Sequence, residues 1–207
     1  MPPTFDAASE HAGGTTDSLA SMTWTHTPVG TPSAVTVHVT NNGTSDAATA
    51  TYGGVAMTLA GTANGPGDQF SMLFTLLNPP AGAQTVFVDF AGTPWGHGMA
   101  ITYLLARGFG AAVTASGTSA AASVTVPSNA NAIVADVMCL EGVTGVSTQT
   151  LRHTKNFGSA GSNNSGYAST AAGAASVVMG YTHDSVGWSI IGISIEAGSG
   201  NQVVGLF

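Results

Sequence analysis

Charged side chains make up only 6 % of this 207-residue chain, against about 25 % in an average globular protein. The cations number three, Arg107, Arg152 and Lys155, against ten carboxylates, giving a formal net charge of −7. Neutralising a nucleic-acid backbone takes a basic patch, and three cations cannot build one, so nucleic acid is not expected as a partner. Attraction to an anionic membrane fails on the same ground. No apolar run nears the length of a membrane-spanning helix. Met1 is followed by Pro2, Pro3 and Thr4, without the basic start and apolar stretch of a signal peptide, so standard secretion is not expected either. The single Cys139 excludes an internal disulfide and a thiolate zinc cluster.

What the chain has in quantity is small and β-prone residues: 43 % hydrophobic positions, 28 glycines, and much of the rest Ser, Thr and Ala. The hydrophobic pattern has a period of two. Met22, Trp24 and His26 alternate with Thr23 and Thr25, and Val35, Val37 and Val39 alternate with Thr36, His38 and Thr40. That period belongs to strands with one face inward. Gly53-Gly54, between Thr49–Tyr52 and Val55–Leu59, has the chemistry of a tight hairpin. Asn78-Pro79-Pro80-Ala81-Gly82 stops the run Phe70–Leu77, because proline cannot extend a ladder. Further strands are predicted over Thr85–Phe90, Ser123–Val126, Ile133–Leu140, Ser176–Thr182 and Ser189–Glu196. Met99–Leu105 reads as a strand too, with a short helix over Ala100–Ala106 as the alternative. Glu141–Ala175 is rich in Gly, Ser, Asn and Ala and reads as an ordered excursion, with a strand at Thr148–Arg152.

About ten strands with regular turn signals predict an all-β fold, a jelly-roll-like antiparallel β-sandwich. The division expected is a polar N-terminal arm over 1–20, a sandwich over 21–198 and an apolar tail over 199–207. Parity within each run places Val35, Val37, Val39, Val55, Met57, Leu59, Phe70, Met72, Phe74, Val86, Val88, Phe90, Val124, Val126, Ile191, Ile193 and Ile195 in one shared core.

Four strings carry a resemblance: Thr51-Tyr52-Gly53-Gly54-Val55-Ala56-Met57-Thr58-Leu59; Leu76 to Gly82 followed by Thr85-Val86-Phe87-Val88; Phe5-Asp6-Ala7 with Met22 to Thr27; and Trp188 to Ile195. Over residues 5 to 197 the chain resembles a β-sandwich domain that recurs in phage virion proteins and in bacterial surface or secreted proteins. The matched positions are turn formers and core residues. The resemblance therefore implies a structural or adhesive module without a defined catalytic site, similar to a phage head decoration or other minor virion protein.

A search for chemistry agrees. The six histidines show no His-x-x-x-His or His-Glu-x-x-His spacing, so no metal site and no cofactor are expected. His26 and His38 read as ordinary strand residues. No Gly-x-Ser-x-Gly elbow supports a hydrolase. The carboxylates are scattered singly, with neither a glycosidase pair nor a calcium loop. Cys139, inside Val137-Met138-Cys139-Leu140, reads as a buried small hydrophobe. No catalytic residue is assigned. Trp95 and His97, in a loop-like Thr93 to Gly98, and Tyr167, in the excursion, are candidates for contact with a ligand or partner.

Several strands carry apolar residues on both faces. Leu73, Leu77, Phe87, Trp188 and Ile190 are left over once a single core is filled, and Leu206 and Phe207 end the chain. These seven are expected to form an oligomer interface, since large apolar patches usually mark contacts. The leading expectation is thus a non-enzymatic virion protein, a homo-oligomer such as a trimer, bound to a major capsid protein or another virion component. The alternatives are a carbohydrate-binding or adhesive module recognising surface glycans, and a self-assembling filament subunit at the bacterial surface.

Overall fold

The computed structural model describes residues 1–12, 18–43, 48–142, 145–159 and 162–198. In chain order its strands are β1 (Thr4–Glu10), β2 (Ser21–His26), β3 (Ala34–Asn42), β4 (Ala48–Tyr52), β5 (Val55–Ala56), β6 (Thr58–Gly65), β7 (Gln69–Leu77) and β8 (Gln84–Phe90). There follow β9 (Trp95–Leu104), β10 (Ala106–Phe109), β11 (Val113–Pro127), β12 (Ala132–Glu141), β13 (Gly145–Ser147), β14 (Thr150–Ser159), β15 (Ser162–Ala172) and β16 (Ser176–Ala197). The described residues hold no helix, so the fold is all-β, and every strand pair is antiparallel. The segment from Met99 to Leu104 belongs to β9, which removes the helical alternative.

The sandwich has three layers, one more than the two sheets expected. A four-stranded sheet, β2-β8-β4-β5, forms one outer layer. A five-stranded sheet, β1-β9-β3-β7-β6, lies in the middle. The third layer runs β10-β16-β12-β15-β14, with β11 and β13 also paired to β16. Strand β3 shows why a middle layer arises. Val35, Val37 and Val39 pack toward the four-stranded sheet with Met22, Trp24, Val86 and Val88. The alternate set, Thr36, His38 and Thr40, is fully buried on the opposite face, toward the third layer. A strand alternating valine with threonine or histidine can be buried on both sides if the polar set finds partners.

Three cores result, correcting the single core read from parity. Met72, Phe74 and Phe90 join the first, between the four- and five-stranded sheets. Leu73, Met99, Ile101 and Tyr103 of the middle sheet meet Ile133, Val137, Ile191, Ile193 and Ile195 of the third layer in the second. The third core lies on the other face of that layer. There Val124, Val126, Met179 and Tyr181, from the long β11–β16 ribbon, pack against Val134, Met138 and Leu140. Val55 and Leu59 are exposed and belong to no core.

Two further sequence expectations are corrected. Residues 4–10, read as part of an arm, form β1 and pair with β9 along the edge of the middle sheet. An edge strand needs only one buried face, so its apolar signal is weak. The excursion after Glu141 supplies β14 and β15, paired with each other and, through β15, with β12. The tail over 199–207, including Leu206 and Phe207, lies outside the described residues.

The hairpin at Gly53-Gly54 is as expected: φ is +58° and +78°, and Tyr52 pairs with Val55. Gly65, at the end of β6, is needed for a different reason. A Cβ there would fall on the backbone carbonyl of Trp188, so β6 and β16 approach closer than any side chain allows. Gly65→Ala is therefore expected to cost about 3 kcal/mol, by forcing two layers apart. Gly54→Ala, which meets only open space and carries only the φ penalty, should cost about 1 kcal/mol. Thermal melting of the two variants checks the contrast.

Candidate functional site

Strand β1 holds the densest polar chemistry of the described residues, on both sides of its edge position. On one side lies a relay. Trp24 Nε1 donates to Ser9 Oγ at 3.1 Å, and Ser9 Oγ lies 2.7 Å from His26 Nδ1. His26 Nε2 lies 3.1 Å from Thr102 Oγ1, which donates to Asp6 Oδ2 at 2.9 Å. A hydroxyl has one proton, and that of Thr102 goes to Asp6. Nε2–H of His26 must then be the donor to Thr102, and Ser9 O–H donates to Nδ1. Every proton is assigned with His26 neutral. Burial pushes its pKa down to about 4, with Asp6 opposing the shift. Serine, histidine and aspartate thus stand in sequence, but Thr102 separates the last two. The clefts of about 500 and 320 Å³ are lined by other residues, around Arg107 and Glu196 and around Phe5 and Arg152. The relay ties β1 to β2 and β9.

On the other side, Glu10 meets His97 of β9 and His153 of β14. Glu10 Oε2 lies 3.4 Å from His97 Nε2 and 2.7 Å from His153 Nε2, and Lys155 Nζ lies 3.6 Å from Oε1. The two imidazoles stack, with centroids 5.4 Å apart and planes inclined by 25°. Strand β1 is one edge of the middle sheet and β14 one edge of the third layer. The cluster therefore closes the seam where those layers end. His97 is 1 % exposed. Burial pushes its pKa down to about 3, and the neighbouring His153, Lys155 and His11 push the same way. Burial also lowers His153, against the pull of Glu10. Burial thus favours the neutral form of both rings. Close by, the Arg152 guanidinium sits 4.0 Å from the Phe5 ring centroid, and Arg152 Nε donates to Thr170. Two of the three cations of the chain thus face β1 from β14.

The residues singled out in the sequence are distributed differently. His97 is a strand residue in this cluster and not a loop contact. Trp95 begins β9, half-buried, paired with Asn42 and bridged to Ser18. Tyr167 is buried in the third core against Tyr181, so it presents no ring to a ligand. Of the seven interface candidates, Leu73 and Ile190 are 0 % exposed and Trp188 is 8 % exposed, its Nε1 donating to Ser119 Oγ. Leu73 is consumed by the second core, where the third layer covers the middle sheet, and Trp188 and Ile190, themselves on the third layer, by the third core on that layer's other face. Leu77 packs partly against the second core. Phe87 alone among the described five is exposed, at 37 %. Cys139 is buried, as expected, and burial pushes its thiol up.

Glu10 and His153 escape a sequence search altogether. Positions 10, 97 and 153 share no spacing, and only the β1–β9 pairing and the stacking of layers bring them together. No family model matches this chain, and neither a curated protein nor a solved structure matches it.

Proposed function

We propose that this protein is a non-enzymatic structural component of a virion, decorating a phage head. The observation that supports it is how the buried polar groups are used. His38 and Ser71 tie the middle sheet to the third layer, Asp136 ties β12 to β15 and β16 within that layer, and the described clefts draw on none of them. A rigid, sparsely charged stack offers few protease sites for trypsin-like enzymes and few titrating surface groups, which suits a particle exterior. The resemblance to phage β-sandwich domains and the jelly-roll-like character of the sandwich belong to the same proposal. So does self-association in a closed form such as a trimer, with contacts to a major capsid protein; among the described interface candidates, Phe87, on the four-stranded sheet between Thr23 and Thr51, is the exposed one. The glycan-binding alternative loses Tyr167 and keeps only a half-buried Trp95.

The test is protein mass spectrometry of virions purified from the host that carries this gene. Recovery in intact particles at a fixed ratio to the major capsid protein is expected. Absence from particles, with recovery in the soluble or cell-surface fraction, overturns the proposal.

A further inference from the structure

We propose that Glu10, His97 and His153 form a binding site for a divalent first-row transition-metal ion, which staples β1 to β9 and β14. The inference is independent of the virion proposal. It replaces the expectation, drawn from sequence spacing, that the chain holds no metal.

Three observations carry it. First, the donor set is right: two imidazole nitrogens and a carboxylate oxygen suit zinc and its first-row neighbours. Second, the distances are right. One donor atom from each residue lies within 4.8 Å of the others. Tetrahedral bonds of about 2.0–2.1 Å place donors about 3.3 Å apart. The His97–Glu10 separation of 3.4 Å meets this already, and His153 at 2.7 Å needs only to open by several tenths of an ångström. Third, the three atoms want a partner. Glu10 Oε2, His97 Nε2 and His153 Nε2 are all buried, and their mutual contacts, His153 to Glu10 at 2.7 Å included, fall short of well-aligned hydrogen bonds. An unsatisfied buried polar atom costs about 1–3 kcal/mol. Three converging on one point are an anomaly for a purely structural contact, and a single cation satisfies all of them.

Lys155 is the competitor. Its ammonium balances Glu10 through Oε1, so a metal must work against one positive charge. The side chain is 29 % exposed and can swing into solvent, leaving Oε2 to the ion. Glu10 is 32 % and His153 18 % exposed, so the ion can enter from the seam, and water can complete its coordination. Because the ligands come from three strands in two layers, the ion acts as a cross-link between the edge strand β1 and the third layer.

The test uses the full chain stripped by chelator dialysis and titrated with zinc chloride by calorimetry and with cobalt(II) by visible absorption. Saturation at one ion per chain is expected, with the visible bands of a low-coordinate cobalt site and a rise in melting temperature on adding zinc. Glu10→Gln and His153→Ala should each weaken binding by at least about tenfold and abolish the rise in melting temperature. Both positions are partly exposed, so the variants should fold, as circular dichroism would confirm. Lys155→Met should bind at least as tightly as the parent, since it removes the competing charge. No saturable binding by the parent, or unchanged affinity in the Glu10→Gln, His153→Ala double variant, would overturn the site and assign any uptake to other histidines.

Discussion

Replacing Asp136 by alanine is expected to destabilise the protein by about 4 kcal/mol, while Asp136→Asn should cost about 1 kcal/mol at pH 8. Asp136 is fully buried on β12. Its Oδ1 accepts three hydrogen bonds: from the Ser169 backbone N–H at 2.8 Å, from Ser169 Oγ at 2.9 Å and from the Tyr181 hydroxyl at 2.8 Å. Removing the side chain orphans three buried donors at about 1–3 kcal/mol each and opens a small cavity. Asparagine keeps the accepting oxygen. It places an amide where Oδ2 has no partner, but it also removes the charge that burial disfavours. Burial pushes the Asp136 pKa up to about 7, against the stabilising pull of Tyr181 and Ser169. Urea unfolding separates the two variants, and equal losses would show that the three-donor arrangement does not hold.

Stability should fall as the pH drops from 6.5 to 4, and Asp136→Asn should make the fall steeper. His38 is fully buried between the middle and third layers. Its Nδ1–H donates to the Asp136 carbonyl at 3.0 Å, and its Nε2 accepts from Thr36 Oγ1 at 2.7 Å. Burial pushes its pKa to about 3, the carbonyl opposing, and pushes His26 to about 4. Folded-state values below the ordinary 6.5 mean that the unfolded chain binds these protons first. The two histidines therefore contribute stability that is complete above pH 6.5 and is lost as the pH falls toward their folded values. Asp136 acts in the opposite sense. Its raised value means the folded chain holds a proton that the unfolded chain releases above about pH 4, so its contribution is lost as the pH rises through 7. His97, pushed to about 3 by burial, adds a third proton in the same direction as the other two histidines. Between pH 4 and 6.5 these four groups give a net uptake of two protons on unfolding, or a slope of about 2.7 kcal/mol per pH unit. Asp136→Asn removes the opposing proton and should make that slope half as steep again. His38→Gln should halve it. Unfolding free energies measured across this range, with no steepening in Asp136→Asn, would show that Asp136 is already ionised in the fold at low pH.

The local elements were legible in the sequence, and the stacking was not. The valines at 35, 37 and 39 have the parity read for them, and the Gly53-Gly54 and Asn78-Pro79-Pro80 turns close the strands where expected. The error lay with the other face of β3. Thr36, His38 and Thr40 look like a solvent face by hydropathy, yet all three are buried; His38 bonds to the Asp136 carbonyl of the third layer, and Thr36 bonds to His38. The scarcity of charge was the available signal. A strand that alternates valine with threonine and histidine, where exposed strands usually carry lysine or glutamate, can be buried on both sides. Read that way, the second apolar faces of Leu73, Trp188 and Ile190 point to a third layer of the same chain before they point to a partner. The Glu10–His97–His153 cluster had no such signal, because its members meet only through tertiary packing of three strands remote in sequence.

The doubly covered middle sheet is tested most directly by hydrogen–deuterium exchange resolved along the chain. Strand β3 is hydrogen-bonded on both sides, by β7 and β9, and β12 is likewise held between β15 and β16. With both faces of each also buried, the three-layer stack predicts that Val35–Thr40 and Val134–Leu140 exchange slowest of all, through global unfolding only. Exchange over Val35–Thr40 as fast as in the edge strands β1 and β14 would contradict a buried middle layer, and with it the arrangement of the three cores.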